Sequence, residues 1–236
     1  MKIIYFFILQ ILALSMSKTY AQGYGNSTIY IAGAMKNVMW KGELQGSISL
    51  DSFKNKPHSY GIGPLEYLKG ELLLIDGKVY QSFVRNKKKM HVIESHQAKA
   101  PFFVYTQTSQ WRKTRLPDSI KTLNQLEKYL ISYHKQDQPF VFKLKTRIAT
   151  ARIHIVNLPE GTKVSSPDDA HEGQVNFTLK NTEADLIGFF SKNHQGIFTH
   201  HDTYMHIHLI TKDRKAMGHL DNVMLGKGTV LYLPAE

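Results

Sequence analysis

Met205-His206-Ile207-His208-Leu209-Ile210-Thr211-Lys212-Asp213-Arg214-Lys215-Ala216-Met217-Gly218-His219-Leu220 is the stretch on which the reading of this chain turns. Its first half is a strand-like run in which residues two apart share a face, so the His206 and His208 rings project to the same side. Lys212-Asp213-Arg214-Lys215 is a polar turn, and a second run opens at Met217. A hairpin centred between Asp213 and Arg214 sets His208 directly opposite His219, and opposed residues on one face have Cβ atoms roughly 4.5–5.5 Å apart. Three imidazoles then converge on one point. That donor set suits a tetrahedral zinc with three protein nitrogens at about 2.0–2.1 Å and an open fourth position, the catalytic arrangement. Three His also suit other divalent ions. Gly218, beside the third imidazole, lets backbone and ring approach closely. Just upstream, His194, His200, His201 and Asp202 admit two readings, as groups that fix ligand tautomers or as an exposed polar loop.

Outward from the hairpin, most segments carry a β pattern. Glu71-Leu72-Leu73-Leu74-Ile75 leads through Asp76-Gly77 into Lys78 to Val84, and Asp-Gly between two such runs is a strong hairpin signal. Phe102 to Tyr105, Phe140 to Leu144, Ala151 to Val156, Val175 to Leu179 and Thr229 to Leu233 are further candidate strands. One stretch is helical: after Pro117-Asp118, residues Ile120, Leu123, Leu126, Leu130 and Ile131 fall near one stripe, with Asp118 as N-cap. A shorter helix is expected over Leu50 to Lys56. The fold class expected is α+β, mostly β: two β-rich lobes, a mixed sheet and a small barrel-like second lobe, joined through one main helix. The expected divisions are 22–117 for the first lobe, 118–138 for the connecting helix and 139–236 for the lobe bearing the histidines. An exposed edge strand in the first lobe offers a route to a homodimer.

Composition narrows the chemistry. Among 236 residues there is no cysteine, which removes disulfides, thiolate nucleophiles and Cys-based metal sites, so any metal must use His and carboxylates. The net charge of +11 does not point to nucleic acid, because the positive residues are scattered. The one dense run, Arg85-Asn86-Lys87-Lys88-Lys89, lies between strand-like segments and reads as a solvated hairpin tip. At the N-terminus, Lys2 precedes an apolar run from Ile3 to Met16, and small and polar residues follow to Ala21. This pattern predicts a signal peptide over residues 1–21 and an exported protein, periplasmic or secreted. The apolar run is shorter than the roughly 20 residues a membrane span needs, so no stable membrane association is expected after cleavage.

The motifs resemble those of the alpha-acetolactate decarboxylase family. Its C-terminal hallmark is a His-x-His strand, a polar turn and Gly-Gly-His, with eleven residues from the second His to the third; here it stands as His206-Ile207-His208 and Met217-Gly218-His219. Its N-terminal hallmark is matched by Gly61-Ile62-Gly63-Pro64, then Leu68-Lys69-Gly70-Glu71, then Asp76-Gly77. Ile187-Gly188-Phe189 matches a further family segment, and together the matches run through most of the chain.

The resemblance implies a zinc held by His206, His208 and His219, and a non-oxidative decarboxylation of 2-acetolactate or a related 2-hydroxy-3-keto acid. It assigns Glu71 the position of a family glutamate that handles the proton. The family arginine that binds the substrate carboxylate has three candidate counterparts, Arg152, His154 and Arg147. Arg152 and His154 share a face if the run is a strand, Arg147 lies on the other parity, and Arg152 is kept as the carboxylate binder. Lys69, Pro64 and Met217 depart from the family pattern, and a glutamate that some members supply from a longer tail has no counterpart before Glu236. An exported zinc hydrolase or lyase, or a non-catalytic metal-binding module, are the competing readings on the same scaffold.

Overall fold

The computed structural model of the chain describes residues 19–21, 27–86, 89–133 and 137–235. Its first half forms β1 (Thr19–Ala21), β2 (Ile29–Ala32), α1 (Met35–Lys41), β3 (Ile48–Ser49), β4 (Ser59–Pro64), β5 (Glu71–Ile75), β6 (Lys78–Asn86), β7 (Lys89–Glu94), β8 (Lys99–Ala100) and β9 (Phe103–Gln107). The second half forms β10 (Trp111–Arg115), α2 (Leu123–Tyr133), β11 (Phe140–Ile155), α3 (Pro167–Ala170), β12 (Val175–Phe190), β13 (Met205–Thr211), β14 (Met217–Leu225) and β15 (Val230–Pro234). The first sheet has the order β1-β2-β9-β4-β5-β6-β7 and the second β10-β15-β11-β12-β13-β14, with β3 and β8 paired separately. Because β14 also pairs with β11, strands β11 to β14 close into a ring. The mostly-β architecture with a barrel-like second lobe is therefore present.

Several details differ from the sequence reading. The first sheet is antiparallel throughout and not mixed, because tight hairpins such as β5–β6 and β6–β7 need no crossover. The main helix begins at Leu123, and Asp118 is not its N-cap. Thr122 Oγ1 accepts from Gln125 N–H while Gln125 Oε1 accepts from Thr122 N–H, a reciprocal cap that outcompetes the Pro-Asp signal. Asp118 instead accepts from Gly228 N–H. Leu50–Phe53 is a single 3-10 turn. Strand β10, placed before the connecting helix in the first lobe, pairs with β15 in the second sheet. Asn86 pairs with Lys89 where the basic tip was expected, residues 87–88 themselves lying outside the described residues. Of the expected leader, residues 1–18 also lie outside them, and Thr19–Ala21 pairs with Ile29–Ile31.

The core positions the site. Strand β5 is buried along its whole length, as an uninterrupted apolar run requires. Leu72 and Leu74 pack with Leu50 and Phe53 on one side, whereas Leu73 and Ile75 face the second sheet, meeting Ile187, Ile210 and Met217. Glu71 has the parity of Leu73 and so also faces the second sheet. On β13, Ile210 belongs to this inter-sheet core while Ile207 and Leu209 point into the ring's own interior. His206 and His208, with the parity of Ile210, therefore look toward Glu71.

Strand β11 carries one irregularity with a consequence for the arginines. Its pairing with β14 passes from Ile148↔Leu225 to Thr150↔Met224, a register shift that makes Ala149 the extra residue. Ala149 and Thr150 are both exposed, and the in–out alternation slips by one there. Arg147 and Arg152 consequently both lie on the outer side, although simple parity separates them.

Phe142 on β11 lies directly across from Gly188 on β12, and a Cβ added at Gly188 would come 2.2 Å from the Phe142 ring. Gly188→Ala is expected to cost about 1–3 kcal/mol by overpacking. Urea unfolding of the variant checks this, and an unchanged midpoint would show that the ring can move aside.

Candidate metal centre

The β13–β14 hairpin pairs His208 with His219, Leu209 with Gly218 and Ile210 with Met217, the register that symmetry about Asp213–Arg214 requires. His206 Nδ1 lies 2.9 Å from the Phe198 carbonyl oxygen, and His208 Nδ1 lies 2.9 Å from that of Leu72. A carbonyl can only accept, so both Nδ1 atoms carry a proton and donate it, which leaves each Nε2 a bare acceptor. These two Nε2 atoms lie 3.2 Å apart. Burial pushes the His208 pKa down to about 3 and holds His206 well below the usual histidine range, so neither ring takes a second proton at neutral pH. Two facing lone pairs repel unless a cation lies between them. Nitrogens that share a tetrahedral zinc at ordinary bond lengths are about 3.3 Å apart.

His219 completes the face. Its ring centroid is 5.0 Å from that of His206 and 5.5 Å from that of His208. The candidate ligand nitrogens of His219, His206 and His200 lie within 4.8 Å of one another. Among the described residues, His200, His206 and His219 thus form a group that could hold a divalent metal, with His208 Nε2 3.2 Å from that of His206; His200 is the one the sequence left open between two readings.

Glu71 enters from the other sheet. Its Oε1 accepts from Val156 N–H at 3.1 Å, and its Oε2 lies 3.7 Å from His208 Nε2. Burial raises its pKa well above the ordinary carboxylate value. His154 pairs with His219 across β11 and β14, and their rings stack at 4.5 Å and 29°. His154 Nδ1 is 2.6 Å from Asp221 Oδ1, an arrangement that fixes the ring. Arg152 is two residues away but its side chain is 61% exposed, with Nε 4.0 Å from Asp221 Oδ2. Arg147 lies apart from these groups, donating to the Asn181 carbonyl at 3.1 Å.

Two connected spaces surround these residues. An inner chamber of about 30 Å³ is bounded by Glu71, His154, His206, His219, Met35 and Phe102. An outer cavity of about 770 Å³ is lined by polar groups that include Arg152, Asp221, Asn222, Glu127 and Asp202. His154, His171, His200 and His219 border both. Asp221 was missed in the sequence, although its two-residue spacing from His219 on one strand signals a shared face. His171, presented by the turn after α3 with Nδ1 2.6 Å from the Pro167 carbonyl, carried no comparable signal.

These environments set a pH dependence for the metal-free protein. His200, pushed by burial down to about 4, joins His206, His208 and His219 as bases whose pKa is lower folded than unfolded. Their contribution to stability is present above about pH 6.5 and is lost as the pH falls toward the folded values. Glu71, raised by burial, acts in the opposite sense, losing stability as the pH rises above the ordinary carboxylate range. With four groups against one, the unfolding free energy should fall on acidification from pH 7 to 4.5, by up to about 1.4 kcal/mol per pH unit for each fully titrating group. Urea titrations across that range measure it; a flat or rising profile would contradict the buried neutral cluster.

With this geometry in place, the chain can be set beside known proteins. The model of the alpha-acetolactate decarboxylase family matches residues 29–235. A Brevibacillus brevis protein named alpha-acetolactate decarboxylase is 25% identical over 199 residues, which cover 84% of this chain and 67% of that one. The crystal structure of acetolactate decarboxylase from Bacillus subtilis subspecies spizizenii superposes with a TM-score of 0.71 at 21% identity, over 88% of this chain and 86% of that chain. A Staphylococcus aureus protein of unknown function, described as similar to alpha-acetolactate decarboxylase, superposes with a TM-score of 0.71 at 16% identity, over 87% and 84%. At such identities the structures speak for a common fold. The family match, running through both sheets and the histidine hairpin, carries the assignment: the chain belongs to the alpha-acetolactate decarboxylase family.

Proposed function

We propose that this protein is a zinc-dependent carboxy-lyase that converts 2-acetolactate, or a close 2-hydroxy-3-keto acid, to acetoin or its analogue and CO2. Family membership supports the decarboxylase chemistry. The observation that carries the metal dependence is the pair of bare, buried Nε2 atoms of His206 and His208, 3.2 Å apart. A bound divalent cation supplies a Lewis acid for the negative charge that develops on oxygen as CO2 departs.

The remaining work falls to the chain's own side chains. His206, His208 and His219 hold the cation, the first two locked in one tautomer by the Phe198 and Leu72 carbonyls. When the C1–C2 bond of the substrate breaks, its electron pair passes into the C2–C3 unit, and C2 must then receive a proton. Glu71 is placed to deliver it: burial raises the pKa of its carboxyl, and Val156 N–H holds Oε1 while Oε2 lies 3.7 Å from His208 Nε2. The spent carboxylate is reprotonated through the outer cavity. Arg152, on the wall of that cavity, attracts the anionic substrate, and His154, oriented by Asp221, stands deeper beside His219. His154 beside the metal face is also the feature that favours a substrate other than acetolactate, because an imidazole and a guanidinium bind carboxylates differently.

We also propose that residues 1–21 form a leader that exports the protein, a reading supported by the sequence pattern alone. Mass spectrometry of exported protein should find Gln22 as the first residue; an intact Met1 would oppose it.

The purified protein should form acetoin from racemic 2-acetolactate, lose that activity on metal stripping and regain it with zinc. Glu71→Gln should retain zinc yet lose 10²-fold or more in turnover, about the scale of a positioned acid. No acetoin from zinc-replete protein would overturn the substrate assignment, and full activity after stripping would overturn the metal dependence.

A further inference from the structure

The loop between β12 and β13 brings a further imidazole, His200, to the chamber bordered by His206 and His219. The His200 ring lies 4.9 Å from that of His219 at 67° and 5.7 Å from that of His206 at 87°, edge-on to both. Its Nε2 is sealed from solvent and has no hydrogen-bond partner among the described residues. Burying a polar atom in that condition is unfavourable, and a ligand on the ring nitrogen would offset it. The candidate ligand nitrogens of His200, His206 and His219 already lie within 4.8 Å of one another.

The loop that presents His200 is anchored at several points. Ser191 N–H donates to the Tyr204 carbonyl at 2.8 Å and closes its base, while Tyr204 N–H donates to Glu127 of α2 at 2.7 Å. Its middle is fastened to α1, where Met35 and Lys36 N–H groups donate to the Ile197 and Gly196 carbonyls at 2.9 and 2.7 Å. Phe198 is fully buried between, and its carbonyl is the one that fixes the His206 tautomer. The segment that orients one ligand therefore delivers another imidazole two residues later.

We propose that His200 is a fourth protein ligand of the metal held by His206, His208 and His219, an inference that rests on the metal reading above. Four neutral imidazoles would leave the ion its full positive charge and so preserve the Lewis acidity that an anionic substrate requires. The three strand histidines are fixed by the sheet, whereas His200 belongs to a loop.

Zinc K-edge X-ray absorption on the zinc-loaded protein tests this by counting imidazoles. The wild type should show four and His200→Ala three, with zinc affinity lower by ~10-fold or more in the variant. His201→Ala, which alters the adjacent ring, should match the wild type in both readouts. Three imidazoles in the wild type, with affinity unchanged in His200→Ala, would overturn the fourth ligand and leave the three-histidine centre standing. Failure of the wild type itself to retain zinc would overturn the metal reading and this proposal together.

Discussion

The hydrogen bond from His208 Nδ1 to the Leu72 carbonyl is the constraint on which the site depends. It crosses from the second sheet to the first and settles three things. It fixes the tautomer of His208, it turns the bare Nε2 toward His206, and it brings His208 against the residue that precedes Leu72, Glu71. The reverse contact, Val156 N–H to Glu71 Oε1, ties the first sheet back to the end of β11. Neither sheet alone holds both the imidazoles and the acid. The apolar packing of Leu73 and Ile75 against Ile187, Ile210 and Met217 is what keeps the two halves in register.

Departures from the family pattern make sense within that junction. Lys69 reaches across to donate to the Leu158 carbonyl, a bond that an aspartate at that position could not make. Leu158 N–H returns a bond to the Leu68 carbonyl at 3.0 Å, so the Lys69 substitution reinforces an existing seam. Met217, where the family has glycine, is fully buried in the inter-sheet core and adds contact area there. Gly218 remains glycine because a Cβ would come 2.5 Å from the His154 carbonyl oxygen, and that close approach of β14 to β11 is what stacks His219 on His154.

Much of this was legible in the sequence, for identifiable reasons. The histidine hairpin could be read because a period of two and a symmetric polar turn together fix register, and register fixes which rings meet. Strand β5 could be read because its uninterrupted run of leucines leaves no polar face. His200 could not be assigned, since a loop has no periodicity and its position depends on hydrogen bonds to α1 and α2, which are distant in sequence. The slip at Ala149 against β14 was hidden because nothing in Thr146 to Thr150 marks a bulge, and with it went the parity argument that separated Arg147 from Arg152. Thr122-x-x-Gln125 was present as a capping box but stood behind the stronger Pro-Asp signal.

The central claim is that bare imidazole nitrogens from one sheet hold a divalent cation beside a buried carboxyl group from the other. An anomalous difference map at the zinc edge, from crystals grown with zinc, tests it most directly. The account predicts one strong peak among His206, His208 and His219, with the Leu72 and Phe198 hydrogen bonds intact and Glu71 alongside. A chamber without a peak, or a zinc bound only to surface histidines such as His58 or His91, would contradict it.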